Sequence, residues 1–383
     1  MKRWIKILSL VTILAIAAVT LFGCGSQQTQ PAATEVPTAT EAPAETSEDE
    51  APETETASTD QVLNIFTWEG YIDSETVLKP FTEETGIQIN YATFSSNEEM
   101  YEKLSAANGG DYDIVLASDY ILNTAREAGL MQKFDPAIVT NMGNIIPDFT
   151  HQFFDPDDEY VVPYVAGIPL IVYNPDLVDI EIKGFNDLWD PSLEDNLGLI
   201  NDARVTIGMV LLSMGESMNT TDDAILAAAQ EKLAALTPNV HILEYENLHN
   251  SLLSEEIAAC YTFTPFVALA MDDNPDLQVV WPEEGLGFGI DGCFIPVNAP
   301  HAANANRFLE FLLRPEIAAV CAEWQYYCSP NAAAQDYFED WYKESPVFSG
   351  VIDRAADAEI LINLSPEDEQ KFQDIWTTFR LSL

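Results

Sequence analysis

The residues of this 383-residue chain with chemistry to offer are carboxylates and aromatic rings standing at the ends of apolar strand-like runs. Leu63 to Trp68 (LNIFTW) is a short apolar run of β-branched and aromatic residues, the pattern of a buried strand, and it stops at Glu69-Gly70-Tyr71. Trp68, Glu69 and Tyr71 therefore sit just past a strand. Ser118-Asp119-Tyr120 follows the run Asp113 to Ala117 in the same way, and Asp202 follows Leu197 to Ile200. Asp291 lies in the middle of an apolar strand, Gly287 to Pro296, where a lone carboxylate is costly unless something pairs with it. A catalytic set does not assemble around these acids. The four histidines, His151, His241, His249 and His301, lack zinc-like spacing, and the chain has no GxSxG elbow, phosphate loop or GxGxxG after a strand. The acidic run Asp155 to Glu159 lacks the glycine and distal glutamate of an EF-hand and reads as a turn.

The elements that must position these groups alternate between strand and helix. Asp73 or Ser74 caps a helix that buries Val77, Leu78 and Phe81, with a kink expected at Pro80 and a stop at Gly86. Ile87 to Phe94 reads as a second strand and Glu98 to Leu104 as a second helix, a β-α-β-α opening that predicts a parallel sheet with right-handed crossovers. On such sheets ligands bind beyond the carboxyl ends of the strands. Further helices are expected at Ile121 to Gly129, Val205 to Met214, Asp222 to Leu236, His301 to Leu313 and Glu316 to Trp324, with strands at Ile257 to Phe263 and Gln278 to Trp281. Tyr160 to Tyr173 is one long extended apolar run broken by Pro163, Gly167 and Pro169, which suits a crossing between two domains better than one sheet.

Residues 1–23 read as a signal peptide: Lys2, Arg3 and Lys6 precede an apolar core from Trp4 to Phe22 that is short for a membrane span. Leu21-Phe22-Gly23-Cys24 resembles the lipobox of bacterial lipoproteins, which implies lipidation at Cys24, although Phe22 departs from the small residue usual there. Residues 24–61 are Ser, Thr, Pro, Ala, Gln and Glu with nine acids and no base, a composition unable to offset its ordering entropy. As a flexible tether it spans on the order of 35 Å. The remaining part, about 320 residues, is long enough for two domains with proper cores. It carries 54 acids against 13 bases, near −41. That balance argues against nucleic acid and permits attraction of cations. Cys260, Cys293, Cys321 and Cys328 allow either two disulfides or four buried thiols.

Taken in order, YIDSETVLKPFTEETGIQINYATFSSNEEMYEKL, DYDIVLASDY, VVPYVAG, NDAR, VVWPEEG, FLLRPEIAA and SPNAAA resemble the spermidine/putrescine-binding proteins of bacterial ABC importers from about Leu63 to the carboxyl terminus. The resemblance implies a two-lobed α/β periplasmic-binding-protein fold of type II, each lobe a mixed, mostly parallel sheet with flanking helices. One lobe would comprise residues 62–169 and 291–335, the other 170–290 and 336–383. It also implies a linear polyamine, putrescine or spermidine, held between the lobes. The protein would be a monomer without cofactor or catalytic activity, serving an importer permease and its ATPase from the outer side of the membrane. Trp68, Tyr71 and Tyr120 match aromatic wall positions of the family, Asp202 and Asp291 match amine-binding carboxylates, Tyr261 falls where the family commonly has Trp, and Tyr327 where it has Tyr. The family's first-loop carboxylate is displaced by one position, to Glu69. Val205 stands where the family can carry a second amine-binding Glu, and Gly289 where it often has Trp. Another small organic cation or a zwitterion is the alternative ligand class, and a hydrolase working through Asp202 and Asp291 a remote one, since no base, nucleophile or metal set accompanies them.

Overall fold

The structure, a computed structural model, describes residues 61–348 and 358–383; the leader, Cys24 and the tether lie outside the described residues. Two sheets organise the chain. The first is built from β1 (Val62–Trp68), β2 (Gln88–Phe94), β3 (Ile114–Ser118), β4 (Met131–Gln132) and β5 (Val161–Gly167). The second takes β6 (Pro169–Tyr173), β7 (Leu197–Ile200), β8 (Val240–Glu244), β9 (Ala259–Phe263) and β10 (Gln278–Val280), and the chain then returns to the first sheet with β11 (Gly287–Pro296) and β12 (Glu359–Ile360). The strand orders are β12-β11-β3-β1-β2, with β4 and β5 also paired to β11, and β10-β6-β9-β7-β8.

Pairing is parallel within β2-β1-β3 and β8-β7-β9, while β11 runs antiparallel to β3, β4 and β5. The broken apolar run passes from one sheet to the other: β5 ends at Gly167 in the first and β6 starts at Pro169 in the second.

Local sequence accounts for most element ends. The Asp73 side chain accepts from the Thr76 N–H and opens a helix whose first bonds span five residues, with Leu78 N–H on the Asp73 carbonyl at 3.1 Å. This wide turn gives way at Pro80 to a regular helix, α1 (Lys79–Thr85), so the irregularity expected at the proline lies just ahead of it. Gly86 closes α1 with φ 75°, a conformation glycine adopts without strain. Ser96 caps α2 (Asn97–Ala106), and α3 (Asp119–Glu127) follows β3 directly. In the second half come α4 (Ala203–Leu212), α5 (Asp223–Leu236), α6 (Leu248–Leu253) and α7 (Thr264–Asp273), then α8 (Ala302–Leu312), α9 (Pro315–Gln325), α10 (Asp340–Glu344) and α11 (Pro366–Arg380). The Asp155 carboxylate accepts three backbone N–H groups, of Glu159, Tyr160 and Val161, at 2.8–3.1 Å, which is the work of a turn.

One core gathers Leu63, Ile65, Phe66, Val115, Leu116, Phe294 and Phe308 around the first sheet; another gathers Leu197, Leu199, Met209, Leu211 and Tyr261 under α5 and α11. The four cysteines are buried free thiols, the second of the two readings open from sequence. Among the described residues no helix is long and apolar enough to cross a membrane.

Candidate ligand-binding site

A cavity of about 860 Å³ opens between the two sheets, at the ends of β1, β3, β7 and β9 and along β11. Its walls are contributed by both sheets: Trp68, Tyr71, Asp119, Tyr120, Gly289, Asp291 and Tyr327 from the first side, Asp202, Arg204, Val205, Tyr245 and Phe263 from the second.

Trp68 is the last residue of β1, its ring 4.8 Å from Tyr71 and 4.8 Å from Phe94. The turn that carries Tyr71 is fixed from three directions. Tyr91 of β2 donates its hydroxyl to the Trp68 carbonyl at 3.0 Å, Tyr164 of β5 donates to the Tyr71 carbonyl at 3.2 Å, and Trp324 of α9 donates its indole N–H to the Gly70 carbonyl at 2.9 Å. With its backbone so held, Tyr71 donates its hydroxyl to Asp291. Burial and then the Asp291 charge push the Tyr71 hydroxyl well above its ordinary range, so the proton stays on the tyrosine.

Asp291 occupies the strand β11 opposite Ser118 of β3 and Val165 of β5. Burial raises its carboxyl, and the donors Tyr71 and Ser118 oppose the rise. Asp202 lies between β7 and α4, where Oδ1 accepts the Val205 N–H at 2.9 Å and caps the helix. The cap leaves acceptor capacity, because a carboxylate offers about four lone-pair sites. Asp202 thus caps α4 and lines the cavity at once. Tyr120 lies in the first turn of α3, accepting from the Asn97 amide and donating to Glu98, both at 3.0 Å.

Tyr327 is placed by the short antiparallel bridge between Cys328 and Ala166, with N–H···O distances of 2.9 and 3.0 Å, and its carbonyl accepts the Tyr342 hydroxyl at 2.7 Å. Its ring rests on Gly167, where an added Cβ would meet the ring carbon Cε1 at 2.7 Å. Gly167 pairs in turn with Gly289 across β5 and β11, so two facing glycines make room at this end of the cavity.

Six of the eight expected side chains therefore share one cavity, and two do not. Glu69 stands on the exposed turn after β1, carried outward as the chain reverses at Gly70 with φ 68°. Tyr261 is fully buried in the second sheet's core, its ring edge-on to Phe185 at 5.5 Å, because position 261 of β9 faces the core and the strand reaches the cavity only at Phe263. Asp119, Tyr245 and Phe263 line the cavity although sequence reasoning did not select them. Arg204 is a base in the wall, yet it is engaged: it meets Glu369 at 3.1 Å and Asn219 at 3.2 Å, and its guanidinium lies 4.7 Å from the centre of the Phe372 ring. Partly buried carboxylates beside aromatic rings and apolar wall residues can hold a cation with methylene groups attached.

Residues 76–349 match the family of bacterial extracellular solute-binding proteins. The spermidine/putrescine-binding periplasmic protein of Salmonella typhimurium is 38% identical over 280 residues, covering 73% of this chain and 80% of the relative; that of Escherichia coli K12 is 36% identical over the same shares. Among solved structures, the spermidine/putrescine ABC transporter substrate-binding protein of Streptococcus pneumoniae superposes with a TM-score of 0.79 at 32% identity, covering 84% of this chain and 99% of that one. The lipoprotein Tp0655 of Treponema pallidum shares the fold with a TM-score of 0.74 at 22% identity. With its mixed α/β architecture in two lobes and a cavity between its sheets, the chain belongs to the bacterial extracellular solute-binding protein family.

Proposed function

We propose that this protein captures a linear polyamine, putrescine or spermidine, between its lobes and delivers it to the permease of an ABC importer. The observation that carries the reading is the cavity wall itself: Trp68, Tyr71, Tyr120 and Tyr327 supply aromatic rings, and Asp119, Asp202 and Asp291 supply carboxylates around one cavity. The names of the relatives agree in ligand class. Lobes of residues 62–169 plus 291–335 and 170–290 plus 336–383 would close by bending where the chain passes between the sheets, near Ile168 and ahead of β11. The basic and apolar start of the chain and the lipobox-like Cys24 support a position outside the cytoplasm on a lipid anchor, with the protein acting as a monomer without cofactor or catalysis. A zwitterionic ligand is disfavoured by the wall's chemistry, since Arg204, the one base lining the cavity among the described residues, is held by Glu369 and Asn219.

Isothermal calorimetry decides the matter. Putrescine or spermidine should give saturable heat at micromolar concentration with no consumption of the ligand, and silence from both at high micromolar concentration would dismiss the polyamine reading. The ring seat offers a second check. Gly167→Ala sets a methyl group 2.7 Å from the Tyr327 ring, which must shift from its seat in the cavity wall. Overpacking of this kind costs about 1–3 kcal/mol, so polyamine affinity should fall roughly tenfold, with a midpoint of thermal unfolding a few degrees lower. Unchanged affinity in that variant would show that Tyr327 forms no wall of the occupied site.

A further inference from the structure

We infer, on the basis of that reading, that Asp119 is a further amine-holding carboxylate, which together with Asp291 grips a secondary ammonium and so favours a triamine over a diamine. Asp119 opens α3 and is only 7% exposed, yet it lines the cavity. Its Oδ2 accepts the N–H of Ile290, the residue before Asp291, at 3.1 Å, and its Oδ1 accepts the Tyr120 N–H at 2.7 Å. Two carboxylates are thereby fixed side by side, one on α3 and one on β11, by backbone bonds and by the pairing of Ser118 with Asp291. Each oxygen of Asp119 retains a lone-pair site beyond its backbone donor.

Gly289 completes the geometry. A Cβ there would stand 3.5 Å from Asp119 Oδ2, in ordinary contact, so the missing side chain leaves the face of the Asp119 carboxylate open on that side. The position where a ring could have walled the slot instead exposes an acceptor.

Such an arrangement is unfavourable when empty. Two neighbouring carboxylates partly withdrawn from water repel each other, and neither has a cation as hydrogen-bond partner, since Arg204 is turned to Glu369 and Asn219. A secondary ammonium carries two N–H donors at one nitrogen and can give one to each carboxylate. A primary ammonium at a chain end is better served by a single carboxylate such as Asp202. Spermidine has an inner secondary amine, whereas putrescine has none.

The groups facing Asp119 are Asp291 on β11, Arg204 on α4, and Tyr120 on its own helix, whose hydroxyl is backed by Glu98 of α2. Burial, opposed by the Ile290 N–H and reinforced by Asp291, holds the Asp119 carboxyl up to about 7. An ammonium needs the ionised form, so spermidine should displace a proton near neutrality, and its affinity should weaken as pH falls through that region.

The test compares the parent protein with Asp119→Asn and Gly289→Ala by calorimetry, using putrescine and spermidine. Asp119→Asn should lose about tenfold or more in spermidine affinity while putrescine changes at most about threefold. Because an amide cannot accept both backbone N–H groups, this variant can lose stability, so its unfolding midpoint is measured alongside. Gly289→Ala leaves those bonds in place but shields Oδ2, and it should shift the spermidine-to-putrescine ratio in the same direction. In the parent, spermidine binding near pH 7 in buffers of differing ionisation enthalpy should report net proton release. A parent that binds both amines, with the ratio unmoved in both variants and no proton released, overturns the role of Asp119 and leaves the polyamine reading standing. A parent that binds neither overturns both.

Discussion

Asp291→Asn is expected to weaken polyamine binding by about 2–5 kcal/mol, roughly 30-fold to several-thousand-fold, the range for truncating one side of a buried charge pair. The carboxylate sits within an apolar strand, receives the Tyr71 hydroxyl, and has burial as the main influence on its ionisation. An asparagine keeps the shape and still offers Tyr71 an acceptor oxygen, so the strand register has no reason to change. The sign of the effect on stability is distinctive. An acid whose folded-state pKa is raised favours unfolding above its ordinary pKa, so replacing it by a neutral isostere should leave the ligand-free protein as stable at neutral pH, or more stable. Lost affinity at undiminished stability marks a carboxylate kept for its ligand. Calorimetry and thermal melts on one preparation give both quantities; affinity within threefold of the parent would show that the amine is held elsewhere.

The carboxylate was legible because an apolar strand supplies no structural reason for it, and burial made the misfit plain. The same sequence made the outline of both sheets readable, since β1, β3, β7 and β11 are apolar runs bounded by turn residues. The strand β8 was not foreseen: it is an edge strand, and in Val240–Glu244 only Val240 is buried, so the apolar signal is thin. Nor was α7, whose Thr-Pro start follows β9 without a gap and whose apolar residues continue the strand's pattern.

Within the site, the error at Tyr261 is one of depth along the strand. Positions 261 and 263 share a face of β9, and only the last residue reaches the cavity, while Tyr261 lies two residues deeper, in the core. The rule that ligands meet the carboxyl ends of strands already favours Phe263, as it favours Trp68 at the end of β1. Asp119 stood in plain view beside Tyr120, but its meaning depends on Gly289, a residue 170 positions away that becomes its neighbour only when β11 pairs with β3. Glu69 needed the left-handed turn at Gly70, and sequence alone does not say which way such a turn throws the preceding side chain.

Val205→Glu should have the opposite effect to Asp291→Asn, strengthening spermidine binding by about 10- to 100-fold, the worth of one added charge-assisted hydrogen bond at about 1.5–3 kcal/mol. Val205 lies in the first turn of α4, is 7% exposed, and borders the cavity three residues after the cap Asp202. A helix N-terminus tolerates a carboxylate, and glutamate at this position suits a capping arrangement with Asp202. The unoccupied protein nevertheless gains a partly desolvated charge close to Asp202 and Glu369, with Arg204 already committed to the latter. The ligand-free variant should therefore unfold at a lower temperature than the parent. Spermidine at a fixed excess should raise its midpoint by more than it raises the parent's, because tighter binding to the folded state adds stability in proportion to the logarithm of occupancy. Putrescine, which has two amines and no third to spare once Asp202 and Asp291 are engaged, should gain less. Equal midpoint shifts for the two proteins would place the terminal ammonium away from α4, and the amine-holding role of Asp202 would fall with that result.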